Sequence, residues 1–140
     1  MTFGQLGESY IKKATDRFEI LKVLLKKGAY SDVVRETQEM VELAMKGMLR
    51  IVGVEPPKIH DVGDLLLEHA DKFGEILGTD ELKKAAGISK ALRKERELAF
   101  YGDVDFIPTE EYTKEDAELF IVGGKFVLEL SMKILKSFKR

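Results

Sequence analysis

Apolar residues recur at three- and four-residue steps along almost the whole chain, a pattern that predicts helices and contains no strand alternation. The densest stretch runs from Tyr30 to Val52, where Val33, Val34, Met40, Val41, Ala44, Met45, Met48, Leu49, Ile51 and Val52 cover much of a helix circumference. A helix apolar on that many sides belongs at the centre of a fold. Gly53 supplies its stop, and Pro56 and Pro57 forbid continuation because both lack an amide hydrogen and fix φ. Upstream, Gln5 to Lys27 reads as a helix with Leu6, Tyr10, Ile11, Ala14, Phe18, Leu21, Leu24 and Leu25 on one stripe, ended by Gly28. The turn that follows is very short, so these two helices should be antiparallel neighbours, with Ser31 or Asp32 as the cap.

Downstream, Asp61 can cap a third helix reaching Phe73, with Val62, Leu65, Leu66, His69 and Phe73 on its stripe. Gly74 to Gly78 reads as a loop. Thr79 or Asp80 opens a fourth helix to about Ala99, with Leu82, Ala85, Ala86, Ser89, Leu92 and Ala99 inward. From Phe100 to Tyr112 the pattern breaks, yet Tyr101, Phe106, Ile107 and Tyr112 give the loop apolar weight; such a loop is either functional or packed on itself. Thr113 and Asp116 have capping-box spacing and open a last helix through Phe138. Gly123 and Gly124 lie inside it, each unfavourable by about 1 kcal/mol relative to Ala, and are expected where another helix comes close. The fold expected is an all-α, antiparallel up-and-down bundle of about five helices, one domain over residues 1–140.

Composition narrows the chemistry. Without cysteine there are no disulfides, thiolate nucleophiles or cysteine-bound zinc. Asparagine is absent and lysine and glutamate abound, which hints at a thermophile. A net charge of −2 does not advertise nucleic-acid binding, so no DNA partner is expected. Lys133, Lys136, Lys139 and Arg140 crowd the last turns, where cations complement a helix dipole in any case. No apolar run reaches a membrane span and no basic leader precedes an apolar core, so a cytoplasmic location is expected.

His60 and His69 are the sole histidines. His60-Asp61 resembles the centre of metal-dependent phosphohydrolases, but the further histidines such sites require are missing; the plainer reading is a polar residue bonding a turn. His69 lies on an apolar stripe and reads as a core histidine. No metal or cofactor is expected. Arg96 continues the inward stripe of the fourth helix, so it must either pair with a carboxylate or point at an anion. Gln38 plays a similar part on the second helix. Glu42, Lys46 and Arg50, at four-residue spacing, read as a surface ion-pair ladder.

Two stretches together resemble one family. Gln38-Glu39-Met40-Val41-Glu42-Leu43-Ala44-Met45-Lys46-Gly47-Met48-Leu49, then Gly53-Val54-Glu55-Pro56-Pro57-Lys58-Ile59-His60-Asp61-Val62, is similar to the central hairpin of HEPN domains. Glu97-Leu98-Ala99-Phe100-Tyr101 and Tyr112-Thr113-Lys114-Glu115-Asp116-Ala117 are similar to the segments before and into the family's last helix. The resemblance implies an antiparallel helical bundle that commonly dimerises, often beside a minimal nucleotidyltransferase, and that is associated with nucleotide binding. Some members are metal-independent ribonucleases of toxin–antitoxin or defence systems, carrying Arg, four to six residues, then His. Here no histidine follows Arg93 or Arg96, and Phe100 stands where an arginine is common. The function expected is a non-catalytic HEPN-type module that forms a homodimer and binds a nucleotide, a nucleotidyltransferase partner, or both. Lys58, His60 and Arg96 would meet phosphates and Tyr101 would stack on a base. The alternatives are a ribonuclease with an atypical site around His60 and Arg96, or a purely structural helical interaction subunit.

Overall fold

The computed structural model describes residues 3–56, 58 and 62–139. The expectations placed on Pro57, His60, Asp61 and Arg140 fall outside them. The helices are α1 (Phe3–Lys27), α2 (Tyr30–Ile51), α3 (Val62–Glu68), α4 (Thr79–Phe100), α5 (Pro108–Glu111) and α6 (Lys114–Phe138), with a 3-10 turn at Ala70–Phe73. Among the described residues there is no strand, and one isolated bridge joins Asp103 to Phe106.

As the apolar pattern requires, α2 is the axle. It packs against all five other helices. Met40, Met45 and Met48 are fully buried along it, together with Val33, Val34, Ala44 and Leu49. Removing each such valine, leucine or methionine side chain from water contributes about 1.5–3 kcal/mol, which is why the most apolar helix is the one surrounded.

Both predicted glycine stops share one geometry. Gly28 and Gly53 have φ of 75° and 86°, a left-handed conformation that a Cβ would disfavour. At each, the glycine N–H donates three residues back and the following N–H donates five back: Gly28 to Leu25 and Ala29 to Leu24, Gly53 to Arg50 and Val54 to Leu49. This is the Schellman closure, and after Gly28 it turns the chain at once from α1 into α2. The cap of α6 also forms as expected: Thr113 Oγ1 accepts from the Asp116 N–H at 3.1 Å, and Asp116 Oδ2 accepts from the Thr113 N–H at 2.9 Å.

The predicted third helix is two pieces, α3 and the 3-10 turn, with His69 half-buried at their junction. Phe73 still reaches the core, so the stripe is read correctly although the backbone tightens. Of the two mid-helix glycines, Gly124 carries the close approach. A Cβ there would lie 2.6 Å from Thr37 Cγ2 and 2.7 Å from Met40 Cε, so α6 meets the side chains of α2 without one of its own. The break after Phe100 is partly ordered by α5, a single turn begun by Pro108 and packed on α2 and α4. Tyr112 fastens it: its ring meets Phe106 edge-on at 5.5 Å, and its hydroxyl donates to Glu95 of α4 at 2.7 Å.

Candidate functional site

Because α2 and α4 run antiparallel, each three- or four-residue step down one is matched by a step up the other. Three pairs face one another in that register: Arg35 with Phe100, Glu39 with Arg96, and Glu42 with Arg93. The seam so formed is the most polar part of an otherwise apolar packing.

Arg96 resolves the question its position raised. Its Nη2 donates to Glu39 Oε1 at 2.5 Å, yet 42% of its side chain remains exposed. The stem follows the inward stripe of α4 and the guanidinium stays at the mouth of the seam, the usual compromise for a long cation. Arg96 is therefore paired and open at once. It lines two adjoining hollows: one of about 300 Å³ with Arg35, Glu97, Phe100 and Tyr101, the other of about 270 Å³ with Gln38, Glu42, Arg93, Lys94 and Glu97.

In the first hollow the Arg35 guanidinium sits 4.3 Å from the Phe100 ring centre and bonds Glu36 at 3.0 Å. Phe100 thus holds a cation beside the mouth instead of supplying one. Tyr101 meets Phe100 edge-on at 4.8 Å and is 80% exposed, which leaves a free aromatic face.

In the second hollow, buried Gln38 donates from Nε2 to Glu42 Oε2 at 3.1 Å, while its Oε1 is buried and has no partner among the described residues. Glu42 also takes Lys46 at 3.2 Å. Burial pushes the Glu42 carboxyl up. The Lys46 charge, the bonds from Gln38 and Lys46, and the Arg93 charge together outweigh it and hold the group below its ordinary value. An ionised Glu42 demands a donor from Gln38, so the amide is locked with its oxygen as the open acceptor.

The structure brings Arg96 and Tyr101 together and adds Arg35 and Glu39, which the sequence reading did not single out. Their signal was available: positions 35, 39 and 42 share the face of α2 that meets α4. Lys58 does not join them. It is exposed in the turn beyond the carboxyl end of α2, while Arg35 and Glu39 occupy the amino-terminal half of that helix. Glu39 stands twelve residues before Ile51, roughly 18 Å along the helix axis. His60 lies outside the described residues. The supposed surface ladder is also different: Glu42 and Lys46 pair, but Arg50 turns away, over the Tyr10 ring at 5.3 Å and toward Glu55 at 3.9 Å. Two cations cannot continue a ladder, and Tyr10 offers Arg50 a face to lie on.

Larger hollows, of about 510 and 500 Å³, lie along α6 and between α1 and α6. Their floors are largely aliphatic, with Met132 and Leu135 in both, and no aromatic face stands beside their cations. That chemistry suits another protein better than a nucleotide. Among the described residues no cluster of His, Cys, Asp and Glu could hold a metal ion, and no helix is long and apolar enough to cross a membrane.

Comparison with known proteins agrees with the architecture. The HEPN domain matches residues 8–135. A protein of Methanocaldococcus jannaschii, named "Putative toxin MJ1304", is 32% identical over 133 residues, covering 91% of this chain and 86% of its own. No solved structure matches the chain.

Proposed function

We propose, from the premise that this chain belongs to the HEPN domain family, that it is a non-catalytic module of toxin–antitoxin type which pairs with a second copy and takes a nucleotide in the α2–α4 seam. The observation that carries the reading is the half-open Arg96 between two hollows, with Arg35 and the free ring of Tyr101 on one side and the exposed Lys94 on the other. A phosphate needs positive groups with unfilled donors, and a base needs an exposed aromatic face. Both stand at one mouth. The nucleotide belongs either to the module's own regulation or to a nucleotidyltransferase partner that presents it. The name of the archaeal relative supports the toxin–antitoxin setting.

A second reading, ribonuclease action, is what some members of the resembled family would suggest for a toxin. Against it, the residues that follow Arg96 after a gap of four to six are Tyr101, Gly102 and Asp103, none of which is an imidazole that could exchange a proton near neutral pH.

Isothermal titration with ATP, GTP and their diphosphates tests the first reading. Binding in the micromolar to low millimolar range is expected, and it should weaken in Arg96→Ala. No heat at millimolar ligand removes the nucleotide from the account. Incubation with labelled RNA in EDTA, with Arg96→Ala as the control, separates the second: cleavage by the parent chain alone would replace a binding role with a catalytic one.

A further inference from the structure

Along one side of α4, three successive turns carry three different chemistries. Arg93, Glu97 and Tyr101 stand four residues apart, so each lies about 6 Å further along the axis and only about 40° around it. Arg93 borders the second hollow and Tyr101 the first, while Glu97 borders both, as Arg96 does. Glu97 is exposed, and its carboxylate forms no hydrogen bond or ion pair with another described residue. The carboxylates that α2 brings to the seam are engaged: Glu36 by Arg35, Glu39 by Arg96, and Glu42 by Gln38 and Lys46. An open carboxylate is a poor neighbour for a phosphate, because like charges repel. For hydroxyl groups it is a strong acceptor.

We propose that Glu97 reads the sugar of the nucleotide, accepting from the 2′ and 3′ hydroxyls of a ribose, and so makes the seam a site for ribonucleotides. The inference rests on the nucleotide reading above and gives each part of the ligand its own turn of α4. The phosphates lie toward Arg93 and Lys94, the base lies on Tyr101, and the sugar between them meets Glu97. Phosphate, sugar, base is the order in which a nucleotide presents its parts. The two oxygens of one carboxylate match the two adjacent hydroxyls of a ribose, and bonds to a charged acceptor are stronger than neutral ones. A deoxy sugar leaves one of those oxygens facing the ligand without a donor, which is how a polar site rejects an analogue that lacks a hydroxyl. Selection at Glu97 is therefore for the sugar, whichever base is stacked.

Titration calorimetry of the full chain with ATP, 2′-deoxy-ATP and 3′-deoxy-ATP provides the test, in EDTA so that no divalent ion bridges carboxylate and phosphate. The parent should bind each deoxy analogue about tenfold more weakly than ATP. Glu97→Ala should bind all three alike. Any change that the lost charge makes to phosphate affinity is common to the three ligands and cancels in the ratio. Glu97 is exposed, so the variant should melt as the parent does. ATP binding with no penalty for either deoxy sugar overturns the inference and leaves the nucleotide site standing. A penalty that persists in Glu97→Ala gives the sugar to another residue and overturns it equally. A preference for GTP over ATP that vanishes in Glu97→Ala, with no response to the sugar, moves the carboxylate to the base edge and also overturns it. No heat with any of these ligands at millimolar concentration removes the nucleotide reading and this inference together.

Discussion

Arg96 and Glu39 stand fifty-seven residues apart in sequence and join α4 to α2 through a guanidinium–carboxylate contact of 2.5 Å. With their side chains 42% and 28% exposed, the contact is screened by water and contributes less than about 1 kcal/mol to folding. Its larger effect is on ligands, because a phosphate approaching Arg96 competes with Glu39 for the same donors. Glu39→Gln should therefore leave urea-unfolding stability within about 1 kcal/mol of the parent and strengthen ATP binding several-fold. Weaker binding would mean that Glu39 orients Arg96 instead of occupying it.

Tyr101 separates binding from stability more sharply. At 80% exposure it supports little packing, so Tyr101→Ala should change unfolding free energy by no more than about 0.5 kcal/mol. Stacking a base on an aromatic ring contributes about 1–3 kcal/mol, and titration calorimetry should show that loss in the alanine variant but not in Tyr101→Phe. Equal ATP affinity in all three proteins would remove Tyr101 from the site.

The helices and several of their ends were legible because local chemistry writes them, although α2 is capped at Ala29 with no side-chain bond and not by Ser31 or Asp32. Gly28, Gly53 and the Thr113–Asp116 pair act within one or two turns of themselves, and the apolar stripe of α2 marks its burial directly. The site was half legible. The stripe of α4 pointed at Arg96, but the register of α4 on α2 is a tertiary fact, and Arg35 and Glu39 acquire partners only through it. Lys58 was drawn toward the site by charge alone, and the length of α2 separates them. The single turn of α5 was invisible because four residues cannot display a period.

Tyr112 secures the segment next to the site. Burial, its bond to Glu95 and that carboxylate's charge all raise its ionisation well above the ordinary 10.0. A raised value favours folding while the phenol is protonated: the contribution is complete below pH 10 and disappears as pH rises through the folded value. Tyr112→Phe should remove about 1–2 kcal/mol at neutral pH. Amide exchange should quicken across residues 101–113 and stay unchanged in α2; uniform quickening would show that the bond is not local.

Glu42 gives the opposite dependence. Its carboxyl is held below the ordinary 4.5, so folding is favoured by the ionised form. That contribution is present above about pH 4.5 and is lost as pH falls through the lower folded value. Glu42→Gln should be less stable than the parent by about 1 kcal/mol at pH 7, with the gap closing near pH 3 in urea titrations. A gap of the same size at both pH values would mean that the group's charge is irrelevant.

The tightest test of the fold is a pair of glycines treated alike. A Cβ on Gly47 would lie 2.7 Å from Ile11 Cγ1 and 2.8 Å from the carbonyl oxygen of Gly7, so α1 and α2 cross there nearly backbone to backbone. A carbonyl in a helix cannot swing aside, and relief comes only by lifting α1 off the face that buries Ile11 and Ala14. Gly47→Ala should therefore destabilise by about 1–3 kcal/mol or more. Gly87 lies inside α4, exposed, with nothing within 4 Å of the same atom. There alanine removes only the backbone freedom of the unfolded chain, and Gly87→Ala should stabilise by about 0.5–1 kcal/mol, raising Tm by about 3 °C. Opposite signs from one substitution, read in the same thermal melt, follow because Gly47 lies in the α1–α2 crossing and Gly87 faces open space. A harmless Gly47→Ala would mean that α1 does not lie against the central helix as described.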